Sequence, residues 1–222
     1  MKLTERRYGL HLTMNTDWMG ILENRSHSTG AIYHAINDLP WEKRFLQINA
    51  ICAAVLPRTN EPNVQQINHC LEPSVNELMI LKNGVKMDIT DEKESVDLFA
   101  DNGILDCDMP AAHKVSGTEG HSHDMHPCRY CDIEITEINT RQGYDYSWIA
   151  ANDSDLLRQS FYSRDANAVR QKAILDDHGV RWSIMNIIAG CILSKKTALD
   201  FMHCVSLGNT ILTTTTTIIL QG

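Results

Sequence analysis

The chain has 222 residues, 43% hydrophobic and 22% charged, with 20 Lys and Arg against 28 Asp and Glu and a formal net charge of −8. That apolar share, just below the usual ~45–50%, closes a core and excludes a disordered or low-complexity chain, and the length fits one large domain or one and a half at about 150 residues per domain. The acidic balance argues against a free-standing nucleic-acid-binding module, no apolar run reaches the ~20 residues of a membrane span, and no apolar run follows Lys2, Arg6 and Arg7, so neither a membrane segment nor a secretory signal is expected.

Residues 8–17 alternate in polarity, with Leu10, Leu12 and Met14 on one face. The pattern predicts a half-buried strand that ends at Asp17. Residues 28–36 follow a polar turn and are β-compatible through Ile32, Tyr33 and Ile36, and Asn37-Asp38-Leu39-Pro40 closes them. Residues 45–56 are apolar and fit a strand or a short helix, stopped by Pro57. Asn63 is a suitable N-cap, after which Val64, Ile67, Leu71, Val75, Leu78 and Leu81 recur at three- and four-residue steps. That spacing predicts an amphipathic helix, bent at Pro73 and ended by Gly84. A charged turn over 88–94 leads into a strand over 96–107, broken at Asp101-Asn102-Gly103, which runs into Asp106-Cys107-Asp108.

The order is strand, strand, strand, helix, strand. It is the front half of an RNase H-like fold, in which the first and fourth strands lie side by side and bring two distant carboxylates together. Residues 117–132 are polar and rich in His and Cys. Residues 153–177 read as one helix, capped by Asp153 and stopped by Gly179. The tail, residues 208–222, carries five consecutive threonines and no charge; it is β-prone. The expected class is therefore mixed α/β (α+β): a core over 1–117, a mainly helical insertion over 118–207 and an atypical tail over 208–222.

Two constellations carry chemistry. Asp17 and Asp108, each at the end of a predicted strand, are candidate ligands for a pair of Mg²⁺ or Mn²⁺ ions that cleave a phosphodiester; an isolated Asp after a strand is more often a turn former, and it is the strand order that raises this pair. Cys128 and Cys131 form a CxxC that suits tetrahedral zinc, with His121, His123 and His126 just before it. Downstream candidates to complete the set are His203 with Cys204, or Asp200 with His203. Unpaired structural thiols and a redox pair are the alternatives. The seven cysteines are otherwise scattered among apolar residues, which fits a reducing compartment. Arg181-Trp182 fits base stacking or, more simply, a core Trp beside a salt-bridged Arg. Lys195-Lys196 fits a phosphate contact or a solvated loop. His113 and His178 read as surface histidines.

Further blocks follow in order. They begin with Thr16-Asp17-Trp18, Gly30-Ala31-Ile32-Tyr33, and Asn37-Asp38-Leu39-Pro40 with Arg44-Phe45. Glu61-Pro62, Gln66-Ile67-Asn68-His69 and Leu71-Glu72-Pro73 come next, then Cys107-Asp108-Met109-Pro110-Ala111 with Lys114-Val115-Ser116-Gly117. The CxxC, Gly179-Val180-Arg181-Trp182-Ser183 and Asp200-Phe201-Met202-His203 complete the series. Together they resemble the catalytic region of CACTA-type (En/Spm-like) DDE transposases of the kind common in mushroom-forming fungi. The likeness runs from about residue 17 to residue 208.

The resemblance implies that Asp17 and Asp108 are the first two acids of a DDE triad. It also implies that Cys128, Cys131 and His203 help hold a structural zinc tying the insertion to the core. By the same resemblance the location is nuclear, and the partners are transposon-end DNA and a full-length transposase or a second copy of the chain. The chain departs from the family in several places. No acid follows His203, so the third acid of the triad is missing; no DNA-binding portion precedes the likeness. Pro57-Arg58-Thr59-Asn60 replaces a Pro-Gly-Pro turn, and Cys204 stands where Asn is usual. These departures imply a fragment that is weak or inactive alone, or a non-catalytic, zinc-stabilised interaction module.

Overall fold

The computed structural model describes residues 3, 6–20, 28–58, 61–120, 122–141, 145 and 151–199. Its centre is a mixed sheet. β1 (Gly9–Gly20), β2 (Ser28–Ile36) and β3 (Ile51–Arg58) form an antiparallel meander, with Leu12 opposite Ile36 and Gly30 opposite Leu56. α2 (Gln66–Asn83) crosses over and returns the chain through β4 (Val85–Met87) to β5 (Val96–Cys107), which lies parallel to β1 on its free side. β6 (Thr197–Leu199) adds a short parallel strand to the end of β5. The order across the sheet is β3-β2-β1-β5, continued by β4 at one end of β5 and β6 at the other.

Alternation builds β1 as the sequence suggests. Leu12, Met14 and Thr16 are buried on one face, as a period of two requires. α2 lays Ile67, Leu71, Val75 and Leu78 against that face, all buried. Ala100, Leu105 and Cys107 of β5, and Met185, Ile188 and Leu193 from much later in the chain, close the same core. The start of α2 is fixed by a reciprocal capping box: Gln66 N donates to Asn63 Oδ1 at 2.9 Å while Asn63 N donates to Gln66 Oε1 at 3.1 Å. α2 runs unbroken through Pro73.

Several elements differ from the sequence expectations. β1 does not stop at Asp17 but continues to Gly20, because Trp18, Met19 and Gly20 still pair with β2. The ambiguous stretch after Pro40 divides into α1 (Trp41–Arg44), a 3-10 turn (Gln47–Asn49) and β3. β3 passes through Pro57, opposite Thr29; it is an edge strand, where a proline costs no ladder bond on the open side. Asp101-Asn102-Gly103 does not break β5. The register to β1 shifts there, from Leu12↔Asn102 to Thr13↔Ile104, so Gly103 is a bulge residue.

α3 (Met109–Ser116) is an element that periodicity missed, although Asp108 before Pro110 is a helix-start signal. The predicted single helix after residue 153 is two, α4 (Asp153–Asp165) and α5 (Ala168–His178). The side chains of Asn152 and Asn167, not Asp153, cap them. α6 (Leu193–Lys196) leads directly into β6. Among the described residues no helix is long and apolar enough to cross a membrane. The threonine-rich tail lies outside the described residues.

Candidate functional site

The candidate carboxylates belong to adjacent parallel strands. Thr13 faces Ile104 and Met14 faces Leu105 across the β1–β5 ladder. Asp17 and Asp108 each lie three residues beyond the last pair of that ladder. Thr16 and Cys107 are both buried, so by alternation Asp17 faces away from Thr16, while Asp108 lies just past the end of β5. Both aspartates are half-buried.

Asp108 already has a structural task. It is the N-cap of α3, where its Oδ1 accepts from Ala111 N at 2.7 Å. A carboxylate has two oxygens and about four acceptor sites, so a cap through Oδ1 is compatible with a cation on Oδ2. The cap also fixes the carboxylate's direction. Around Asp17, Thr16 Oγ1 and Trp18 Nε1 are buried without a hydrogen-bond partner among the described residues. Lys114 Nζ stands 6.0 Å from the Trp18 ring centroid and is ion-paired with Glu61. Hard carboxylate oxygens are the donor type that Mg²⁺ and Mn²⁺ take, so the donor chemistry fits a divalent cation.

The CxxC forms a turn in which Cys131 is buried and Cys128 half-buried. Tyr130 N donates to Cys128 Sγ at 3.3 Å. Burial, and next the hydrogen bond to Cys128, push the Cys131 thiol well up from its ordinary value. The N–H···S bond is support of the kind that steadies metal-bound thiolates, so the pair fits two of the four zinc positions. The turn is anchored to the sheet: Tyr130 Oη donates to Thr197 O of β6 at 2.7 Å. Arg129 is 4% exposed and within electrostatic reach of Cys107. A buried arginine between two CxxC cysteines has no signature in the sequence.

His126 and His123 do not join the sulfurs. His123 Nδ1 accepts from His126 N, and His126 Nε2 is 3.1 Å from Asp177 O. Among the described residues, no group of three or more His, Cys, Asp or Glu is gathered closely enough to hold a metal. His203, the resemblance's third zinc ligand, lies outside the described residues, as do Asp200, Cys204 and His121.

The remaining candidates take their simpler forms. Arg181 pairs with Glu119 at 3.5 Å, while Trp182 packs on Phe161 at 5.1 Å and Arg164 stacks over both rings. Lys195 Nζ lies 2.5 Å from Asp153, and Lys196 Nζ bonds Asn102 O at 3.4 Å; both pin α6. His113 is buried, not at the surface, with Nδ1 2.9 Å from Thr118 Oγ1. Compared with known proteins, the chain matches no family model and no curated protein.

Proposed function

We propose that the chain is a catalytic-region fragment of a CACTA-type DDE transposase with a partial RNase H-like fold. Its ancestral reaction is metal-dependent cleavage and transfer of DNA strands. The observation that supports this reading is the parallel pairing of β1 with β5, whose last pair, Met14 with Leu105, lies three residues before Asp17 and three before Asp108. An RNase H-like fold uses that adjacency to join acids far apart in sequence. In this reading Asp17 and Asp108 are the residues that would hold Mg²⁺ or Mn²⁺. A metal bound there supplies an activated water and charge neutralisation at the scissile phosphate. The chain's own part is to fix the two carboxylates, one on the sheet and one at a helix cap.

Two carboxylates hold a divalent cation more weakly than three, so a site built on Asp17 and Asp108 without a third acid is weakly active. A structural zinc on Cys128, Cys131 and His203, DNA as partner and a nuclear location belong to the same proposal.

A second reading, a non-catalytic zinc-stabilised interaction module, is favoured by the cap role of Asp108, which gives that residue a purpose without a metal. Mn²⁺-dependent nicking of supercoiled plasmid separates the two. Weak nicking by the wild type, lost in Asp17→Ala and in Asp108→Asn, is the expected result. Asn caps a helix as well as Asp, so Asp108→Asn keeps the fold, whereas Asp108→Ala loses roughly 0.5–2 kcal/mol. Nicking that survives both charge-removing changes overturns the assignment of the site. Absence of nicking by folded wild-type protein supports the interaction module.

A further inference from the structure

A cavity of about 100 Å³ lies between the end of α3, α4 and the segment that leads into α6, and the proposed metal chemistry does not use it. Its charged lining residues are Arg129, Asp153 and Arg181. Asp153 is already matched: Ser194 Oγ donates to its Oδ1, and Lys195, which does not line the cavity, stands 2.5 Å from its Oδ2. Arg129 is 4% exposed. The Arg181 side chain is 15% exposed and its polar contacts are long. Its Nη1 donates to Glu119 at 3.5 Å and its Nη2 to His113 O at 3.4 Å, while Nε is buried with no hydrogen-bond partner among the described residues. Burial holds the guanidinium's pKa below its ordinary value despite Glu119, as expected of a desolvated cation short of acceptors.

The guanidinium is placed in advance. Ser160 Oγ donates to Arg181 O and accepts from Asn186 Nδ2, both at 2.8 Å. The rest of the wall is largely apolar: Leu156, Val180 and Leu193 form it, and Leu157 and Ile192, both exposed, mark the mouth. Trapped water suits such a wall poorly, since each molecule needs about two to four polar partners. A wholly apolar guest would bury Arg181 with no acceptor at Nε. A guest with a carboxylate and a compact alkyl body satisfies both demands.

We propose that this cavity is a binding site for a short-chain alkyl carboxylate, whose carboxylate bonds Arg181 and whose alkyl body lies against the leucines. The proposal is independent of the metal site and of the function proposed above. Nε–H and an Nη–H of one guanidinium form the fork that a carboxylate accepts in two parallel bonds. Arg129 adds a second positive charge to the same wall. The volume is below the ~150 Å³ of a cavity that takes benzene, which limits the guest to roughly three to five carbons. Phosphate fits less well, because the hydroxyls of Ser160 and Ser194 already donate elsewhere, to Arg181 O and to Asp153.

An NMR titration of the full chain with isobutyrate tests this. The expected result is a saturable shift of the Arg181 Nε–H resonance, with a Kd of about 1 mM or tighter for a guest of this size. Acetate, which lacks two of the carbons, binds about fifteen-fold more weakly, at about four-fold per buried methyl or methylene. Isobutyramide, the uncharged isostere, binds about ten-fold more weakly or worse, because it offers no carboxylate to the fork. Leu157→Glu sets a like charge at the mouth and weakens isobutyrate about ten-fold. Tyr162→Glu makes the same charge change at an exposed residue of α4 that does not line the cavity, and it leaves binding unchanged. Arg181→Gln abolishes binding. Circular dichroism checks that each variant is folded, and Leu157→Glu carries the test if Arg181→Gln is not. No saturable shift up to about 20 mM isobutyrate overturns the proposal. Equal affinity for isobutyramide, tighter binding of phosphate than of isobutyrate, or indifference to Leu157→Glu overturns it as well.

Discussion

On the inner face of β2, His34 is 4% exposed, with Nε2 3.2 Å from the hydroxyl of Ser74 on α2. Its Nδ1 has no hydrogen-bond partner among the described residues. Burial lowers its pKa from 6.5 to about 4. The folded protein therefore keeps His34 neutral while the unfolded chain protonates it near pH 6.5. Its contribution is complete above about pH 6.5 and is lost as the pH falls toward about 4, up to roughly 3 kcal/mol in all. Between about pH 7 and about pH 5, urea unfolding of the wild type should lose roughly 2 kcal/mol more than that of His34→Gln, which keeps a polar partner for Ser74 but does not titrate. Equal losses in the two proteins would show that His34 is not the group responsible. The same contact ties α2 to β2, the strand paired with the one that bears Asp17.

Two helix ends meet where the sheet-bearing part of the chain hands over to the later helices. α3 ends at Gly117 and α5 ends at Gly179, with φ of 71° and 65°. The two caps are joined as a short antiparallel bridge: Glu119 N donates to Gly179 O and Arg181 N to Gly117 O, each at 2.8 Å. A methyl group on Gly117 would lie 2.7 Å from Arg181 O, and one on Gly179 would lie 2.5 Å from His126 Cβ. Left-handed backbone and a clash combine at both positions. Gly117→Ala and Gly179→Ala should each cost about 1–3 kcal/mol, and together less than the sum, because both changes break one bridge. Gly120→Ala meets nothing within 4 Å and serves as the neutral control in the same thermal melts.

Gly179 was legible in the sequence because a glycine after a helical period is a stop signal. The break between α4 and α5 was not, since Arg164-Asp165-Ala166-Asn167 contains neither Gly nor Pro and only the Asn167 cap marks it. β4 and β6 have three residues each, too few to show a period; long-range pairing alone makes them strands.

Across the whole molecule, the two candidate constellations converge on one end of the sheet. The CxxC turn reaches β6 through Tyr130, and β6 lies on β5 just before Asp108, with Cys107 opposite Leu199. The spacing of Cys128 and Cys131 could be read from the chain, as could the two acids. Their relation could not, because it depends on a parallel register between residues about ninety positions apart and on a strand of three residues. The proposed zinc would thus brace the segment that borders the carboxylates. If it is present, purified chain should contain one zinc per molecule, and chelation should release it with protons taken up by the two thiols. A metal held at about a thousand times its Kd adds about 4 kcal/mol. At the ~2–4 °C per kcal/mol typical of this length, chelation lowers Tm by roughly 8–16 °C. Cys128→Ser and Cys131→Ser should each abolish both the zinc content and the chelator's effect on Tm. Wild type with no zinc and a Tm indifferent to chelator would leave the two cysteines as unpaired structural thiols of a turn that Tyr130 ties to β6.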